Sequence, residues 1–191
     1  MKILEDRIRR EGTLLPGEVL KADNFINHQI DPQLFMQMGE DFYQHFKDQQ
    51  INKILTLEVS GIALAFAAAT YFNVPVVFAK KSQSLTLGDD VYQSTITSYT
   101  KQKTYDIRVQ KNFLNQSDRV LIIDDFLAMG QALGGLIDLC DQASAQVAGI
   151  GIAIEKAFQP GGQLYRERGY EIYSQARIEK MTEEEIIFCQ N

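Results

Sequence analysis

Two adjacent carboxylates, Asp124 and Asp125, follow the aliphatic run at 120–123, and the small residues Ala128, Gly130 and Ala132 come directly after them. Neighbouring acids of this kind accept hydrogen bonds from vicinal sugar hydroxyls or hold a divalent metal. Small residues ahead of a helix let backbone N–H groups approach an anion, and the positive end of the helix dipole favours a phosphate there. Hydroxyl acceptors beside a phosphate cradle describe a seat for a sugar phosphate. Two metal-holding alternatives use a similar acid pair. A Walker-type nucleotide site needs a G-x-x-x-x-G-K-[ST] loop, which the sequence lacks. A receiver-type phosphoacceptor carries its acids beside its first strand, whereas here about two thirds of the chain precedes them.

The elements that must position these groups follow from apolar periodicity. The run at 120–123 is continuous and β-branched, which suits a parallel strand covered on both faces, so the acids should mark its carboxyl end. Ligands of open α/β sheets collect at that end. An amphipathic helix opens the chain, an irregular stretch covers 12–31, and a second helix covers about 32–48. A strand at 53–58, a helix at 61–72 and a strand at 74–79 come next. The last third reads as a helix at 131–142, strands at 147–154 and 170–176, and a charged turn with a terminal strand at 178–190. This alternation predicts an α/β fold with a mainly parallel sheet flanked by helices. Residues 80–105 break the pattern with Lys, Ser, Gln and Thr and a strand-like alternation at 94–99, which predicts an antiparallel arm. Such an arm either closes over a site or remains an exposed hairpin.

Composition sets further bounds. A chain of 191 residues with 45% hydrophobic and 23% charged residues fits a single domain, 1–191, with a well-filled core. A net charge of −6 disfavours a nucleic-acid-binding surface. The first ten residues lack the apolar core of a signal peptide, and the longest apolar segment, 62–72, is too short to span a bilayer. A cytoplasmic protein without membrane contact is therefore expected. Cys140 and Cys189 have no metal-ligand spacing and read as reduced bystanders. His45 falls within a helical pattern and reads as a surface or half-buried residue.

In this order, five segments resemble the type I phosphoribosyltransferases: residues 19–32 (VLKADNFINHQIDP), 58–61 (EVSG), 74–81 (VPVVFAKK), the loop at 120–133, and 149–160 (GIGIAIEKAFQP). Along its full length the chain is similar to the xanthine-using bacterial members of that family. The resemblance implies a small hood formed mainly by 12–31 with part of the C-terminal segment, and a flexible β-arm at about 80–105. It implies that Asp124 and Asp125 hold the ribose hydroxyls of 5-phosphoribosyl diphosphate (PRPP). Ala128, Met129, Gly130, Gln131 and Ala132 then bind its 5-phosphate. Glu58, Val59, Ser60 and Gly61 correspond to the pyrophosphate loop, in which an unusual peptide often turns N–H groups to the leaving group. The commonest family pattern places threonines beside the loop glycine. Met129 and Gln131 stand there instead, which shifts phosphate recognition toward backbone N–H groups. Ser60 stands where some relatives carry arginine, leaving Lys80 or Lys81 to supply the charge.

For the acceptor, the resemblance implies a hood containing Leu20 and Asn27 over the base, with Asn27 and Lys156 on its polar edge. A buried amide at Asn27 would discriminate between bases, because leaving it unpaired is costly. Lys156 alone reads either as a donor to the edge of a 6-oxopurine or as a surface lysine paired with Glu155. Phe25 stacks on the base or packs the hood, packing being favoured, and His28 caps or orients the hood. The implied reaction moves the phosphoribosyl group from PRPP to N9 of xanthine in purine salvage. Mg²⁺ is carried mainly by PRPP or pyrophosphate, and the protein is a homodimer. Guanine and hypoxanthine remain alternative acceptors, and a non-catalytic PRPP-sensing regulator is the alternative outside enzymes.

Overall fold

The aliphatic strands alternate their side chains between two cores, and this dictates a sheet covered on both faces. The computed structural model describes residues 1–81, 90–98 and 103–190. Helix α1 (Lys2–Glu11) leads into a hairpin of β1 (Thr13–Leu15) and β2 (Val19–Lys21), a π-helical turn at Asp23–Asn27, and α2 (Pro32–Phe46). Strand β3 (Lys53–Leu57), α3 (Gly61–Phe72) and β4 (Val76–Ala79) follow, then the antiparallel pair β5 (Val91–Ser98) and β6 (Lys103–Gln110). The chain continues through β7 (Arg119–Leu127), α4 (Gln131–Gln142), β8 (Gln146–Lys156), α5 (Pro160–Glu167), β9 (Ile172–Met181) and β10 (Ile186–Phe188).

Six strands form the central sheet in the order β10-β9-β8-β7-β3-β4, all parallel except β10, which pairs antiparallel to β9 at one edge. In β7, Leu121 and Ile123 join the core shared with α1, α2 and α3, while Val120 and Ile122 join the core beneath α4. The α/β class with a mainly parallel, helix-flanked sheet is thus the one the periodicity predicts.

Helix α2 starts where its sequence directs. Pro32 occupies the first turn, and the Asp31 carboxylate accepts from the N–H groups of Gln33 (3.1 Å) and Leu34 (3.2 Å). Its inner face ends in Phe42 and Phe46, both fully buried, and Phe42 meets Tyr173 edge-on at 6.2 Å. Truncating such a ring loses its transfer free energy and leaves a cavity. Phe42→Ala is expected to lower the unfolding free energy by about 3–5 kcal/mol, read from urea midpoints at constant slope.

Several boundaries depart from expectation. Residues 12–31 are ordered rather than irregular; each strand of the hairpin has three residues, too few to display a period of two. Gly17 (φ 78°) and Glu18 (φ 58°) turn that hairpin. Strand β7 does not stop at the acids but runs to Leu127, because Phe126 and Leu127 pair with Ile154 and Glu155 of β8. Strand β9 runs on to Met181, and the charged turn begins only after it. Helix α5 was not foreseen: Gly161 and Gly162 lower helix propensity, although Pro160 is a start signal. The expected arm is an antiparallel pair whose buried Ile96 and Ile107 pack toward α4. Its portions at 82–89 and 99–102 lie outside the described residues.

Candidate functional site

Strands β3 and β7 are neighbours, and helix α3 begins directly after β3, so the helix start lies beside the acids of β7. The backbone comes so close at Gly61 that a Cβ there would strike the Thr56 hydroxyl and lie 3.4 Å from Asp124 Oδ1. Asp124 is only 7% exposed, and its Oδ1 accepts the Asp125 N–H at 3.0 Å. Burial pushes the Asp124 carboxyl well above the usual carboxylate range, and the charge of Asp125 pushes it further; burial likewise raises Asp125. Lys81 pulls both the other way. Such a pair is costly to ionise when no donors face it, so it gains from incoming hydroxyls.

The loop between β3 and α3 carries more of the site. Glu58 N–H bonds the Ala79 carbonyl at 3.1 Å, its carboxylate accepts the Lys81 N–H at 2.6 Å, and the Glu58–Val59 peptide is cis. Ser60 caps α3 by position without a side-chain hydrogen bond. The two lysines diverge. Lys81 Nζ stands 5.4 Å from the centre of the Tyr105 ring and acts on the acid pair. Lys80 bridges Arg108 through its backbone and lines a separate cavity of about 400 Å³ with Phe78 and Phe113.

A second cavity, of about 460 Å³, is lined by Ala128, Met129, Gly130, Gln131 and Ala132 and by Lys156. Gly130 adopts φ 82°, the left-handed conformation that glycine alone takes without cost, and α4 begins at the next residue with no side-chain cap. Its leading N–H groups therefore lack intrahelical partners. Met129 and Gln131 are exposed at the rim. Lys156 Nζ donates 2.7 Å to the Glu18 carbonyl in the hairpin turn, so it is not paired with Glu155. Burial lowers its pKa. Glu155 instead receives a two-pronged Arg166 fork at 2.6 and 2.7 Å, with Ser174 at 2.5 Å and Arg177 at 3.2 Å.

Other singled-out residues stand apart from this cavity. Leu20 is buried in the core, and its neighbour Val19 lines the cavity together with Gly17. Asn27 is exposed on the π-helical turn, so the cost of an unpaired buried amide does not apply to it in this state. Phe25 is fully buried with the Arg7 guanidinium 5.7 Å from its ring centre, which makes it packing. His28 is exposed. His45 stacks on Tyr173 at 4.1 Å and faces Glu171 at 3.1 Å. Both cysteines are free, and burial pushes the Cys140 thiol up to about 12. Sequence reasoning missed Tyr105, Val19, Phe126 and Gln159 as cavity-lining residues: Phe126 and Gln159 sit beside the loop and Lys156 in sequence, whereas Val19 and Tyr105 reach the cavity from other elements through tertiary packing.

Among the described residues, no helix is long and apolar enough to cross a membrane. The sequence pattern of the phosphoribosyl transferase domain matches residues 28–169. A protein from Finegoldia magna named xanthine phosphoribosyltransferase is 56% identical over 98% of this chain and 99% of its own. One of the same name from Listeria innocua is 54% identical over 100% of this chain and 99% of its own. In fold, the chain is similar to the adenine phosphoribosyltransferase of Giardia lamblia crystallised with 9-deazaadenine, with a TM-score of 0.75, 24% identity, and 91% and 97% of the two chains covered. The Trypanosoma brucei adenine phosphoribosyltransferase, solved with AMP, pyrophosphate and ribose-5-phosphate, gives a TM-score of 0.76 at 19% identity over 91% of this chain and 79% of its own.

Proposed function

The chain belongs to the phosphoribosyl transferase domain family, and on that premise we propose that it transfers the 5-phosphoribosyl group of PRPP to N9 of xanthine. The bond from the ribose C1 to the diphosphate oxygen breaks, a bond from N9 to C1 forms, and N9 loses its proton. The products are xanthosine 5′-monophosphate (XMP) and pyrophosphate. The observation that carries the reading is that the loop at 128–132 and the Lys156 amine line one cavity. A phosphate cradle and a donor for a purine edge then face the two ends of one nucleotide.

In this reading Asp124 and Asp125 accept the ribose hydroxyls, which add donors to those the backbone already gives the pair. Departure of pyrophosphate leaves positive character at C1, which acids beside the ribose stabilise. Residues 128–132 bind the 5-phosphate through N–H groups. Glu58 to Gly61 and Lys81 face the leaving group; Lys80 serves this role less well, because it borders the other cavity. Lys156 exchanges its bond to the Glu18 carbonyl for one to the base, and the hood carrying Leu20 and Asn27 then closes from its present position over the base. The described residues hold no group of three or more His, Cys, Asp or Glu suited to a metal. A Mg²⁺ carried mainly by the diphosphate belongs to the same proposal, and it would supply charge that offsets that of the leaving group.

A homodimer and a cytoplasmic location belong to the same proposal. Exposed Phe78 and Phe113 line one cavity beside β4 and exposed Phe66 lines another that also reaches Val76, apolar surface that a second copy could cover. Two free thiols suit a reducing compartment. The substrate assignment is tested by offering equal concentrations of xanthine, guanine and hypoxanthine with PRPP and Mg²⁺ and weighing the nucleotides formed. XMP should dominate; a predominance of either other nucleotide would reassign the base.

A further inference from the structure

The loop at 128–132 has little in its own side chains to fix its shape. Met129 and Gln131 are exposed, and no side chain caps α4. Its shape is held from behind by α5. The Gly161 N–H donates to the Ala128 carbonyl at 3.0 Å, and the Tyr165 hydroxyl donates to the Gly130 carbonyl at 3.2 Å. That second carbonyl also accepts the Gly134 N–H at 2.9 Å, the first bond of α4. Glycines make this approach possible. A Cβ at Gly161 would strike the Ala128 carbonyl, one at Gly130 would lie 2.8 Å from Tyr165 Cε2, and one at Gly134 would strike the Tyr165 hydroxyl. Tyr165 is 6% exposed and is followed by Arg166, whose fork on the buried Glu155 ties α5 to the end of β8.

A planar trans peptide points its N–H opposite to its C=O. With the Ala128 and Gly130 carbonyls both turned to α5, the N–H groups of Met129 and Gln131 point away from it. We propose that Tyr165 and Gly161 are positioning residues for phosphate binding: they hold two loop carbonyls back so that the adjoining N–H groups face a ligand phosphate. Tyr165 would thereby take over part of what flanking threonines supply elsewhere in the family. The inference rests on the loop being the 5-phosphate seat, as read above.

The test is the split between the KM for PRPP and the KM for xanthine, with melting curves as a control for folding. Tyr165→Phe keeps the ring and removes only the hydroxyl; it should raise the KM for PRPP by about 3- to 10-fold, the scale of one neutral hydrogen bond. Gly161→Ala should raise it further, and both variants should leave the KM for xanthine within about 2-fold, since Lys156 is untouched. Unchanged PRPP kinetics in Tyr165→Phe, or equal rises for both substrates, would overturn the proposal. Gly130→Ala separates the two ways of failing. If it raises the KM for PRPP while the α5 variants do not, the loop binds phosphate and α5 does not position it. If it too has no effect, the loop is not the phosphate seat and both readings fall.

Discussion

Asp125→Asn should lower kcat/KM by roughly 10- to 150-fold, the range for losing a hydrogen bond to a charged group in a desolvated site. The amide keeps the shape of the side chain and removes the charge that faces the ribose as C1 becomes electron-poor. Stability should move in the opposite direction. Burial raises the pKa of Asp125 in the folded protein, so at neutral pH the ionised carboxylate costs folding free energy. That cost is present above the folded pKa and fades as pH falls through it. The amide carries no such cost at any pH. Without substrate, the variant should therefore melt no lower than the wild type at pH 7, and any gain should shrink at a pH within the usual carboxylate range. Comparing melting temperatures at the two pH values beside steady-state kinetics gives both readings. Wild-type kinetics in this variant would remove the acid pair from the mechanism.

Lys156→Met is the second large effect, and it is selective. Xanthine binding should weaken by roughly 10- to 100-fold, because a charged donor to the base is lost, while PRPP binding stays within about 2-fold. The amine already holds the Glu18 carbonyl at 2.7 Å, so the hairpin turn and the base compete for one donor. Removing it both deprives the base and unties the turn. Folding should change little, since the lost bond to the Glu18 carbonyl and the relieved burial of a charged amine act in opposite directions. Calorimetric titration of each ligand distinguishes this from general damage. Equal losses for xanthine and PRPP would contradict a role at the base edge.

Sequence reasoning reached some features of this site more easily than others, for physical reasons. Helices α3 and α4 lie at Gly61–Phe72 and Gln131–Gln142, the spans expected from their apolar periodicity and flanking polar residues. The acid pair and the small-residue loop stood out because charge and glycine interrupt a buried aliphatic run. The extension of β7 to Leu127 did not, since it depends on pairing with β8 across the sheet. Glu155 illustrates the same limit: its neighbour Lys156 was the obvious local partner, yet Arg166, Ser174 and Arg177 surround its carboxylate. Although burial opposes ionisation, these partners hold its pKa below the usual range. Tyr165, five residues past the end of the motif at 149–160, gave no signal at all in a segment for which no element was expected. Its partner is a backbone carbonyl, which no residue type announces.

Release of pyrophosphate from PRPP by the purified protein, followed continuously in Mg²⁺ buffer with and without xanthine, is the most direct measurement. Release should begin only when xanthine is present and match XMP formation mole for mole. Equal release without any base, or none with xanthine at saturating PRPP, would contradict transfer to this acceptor.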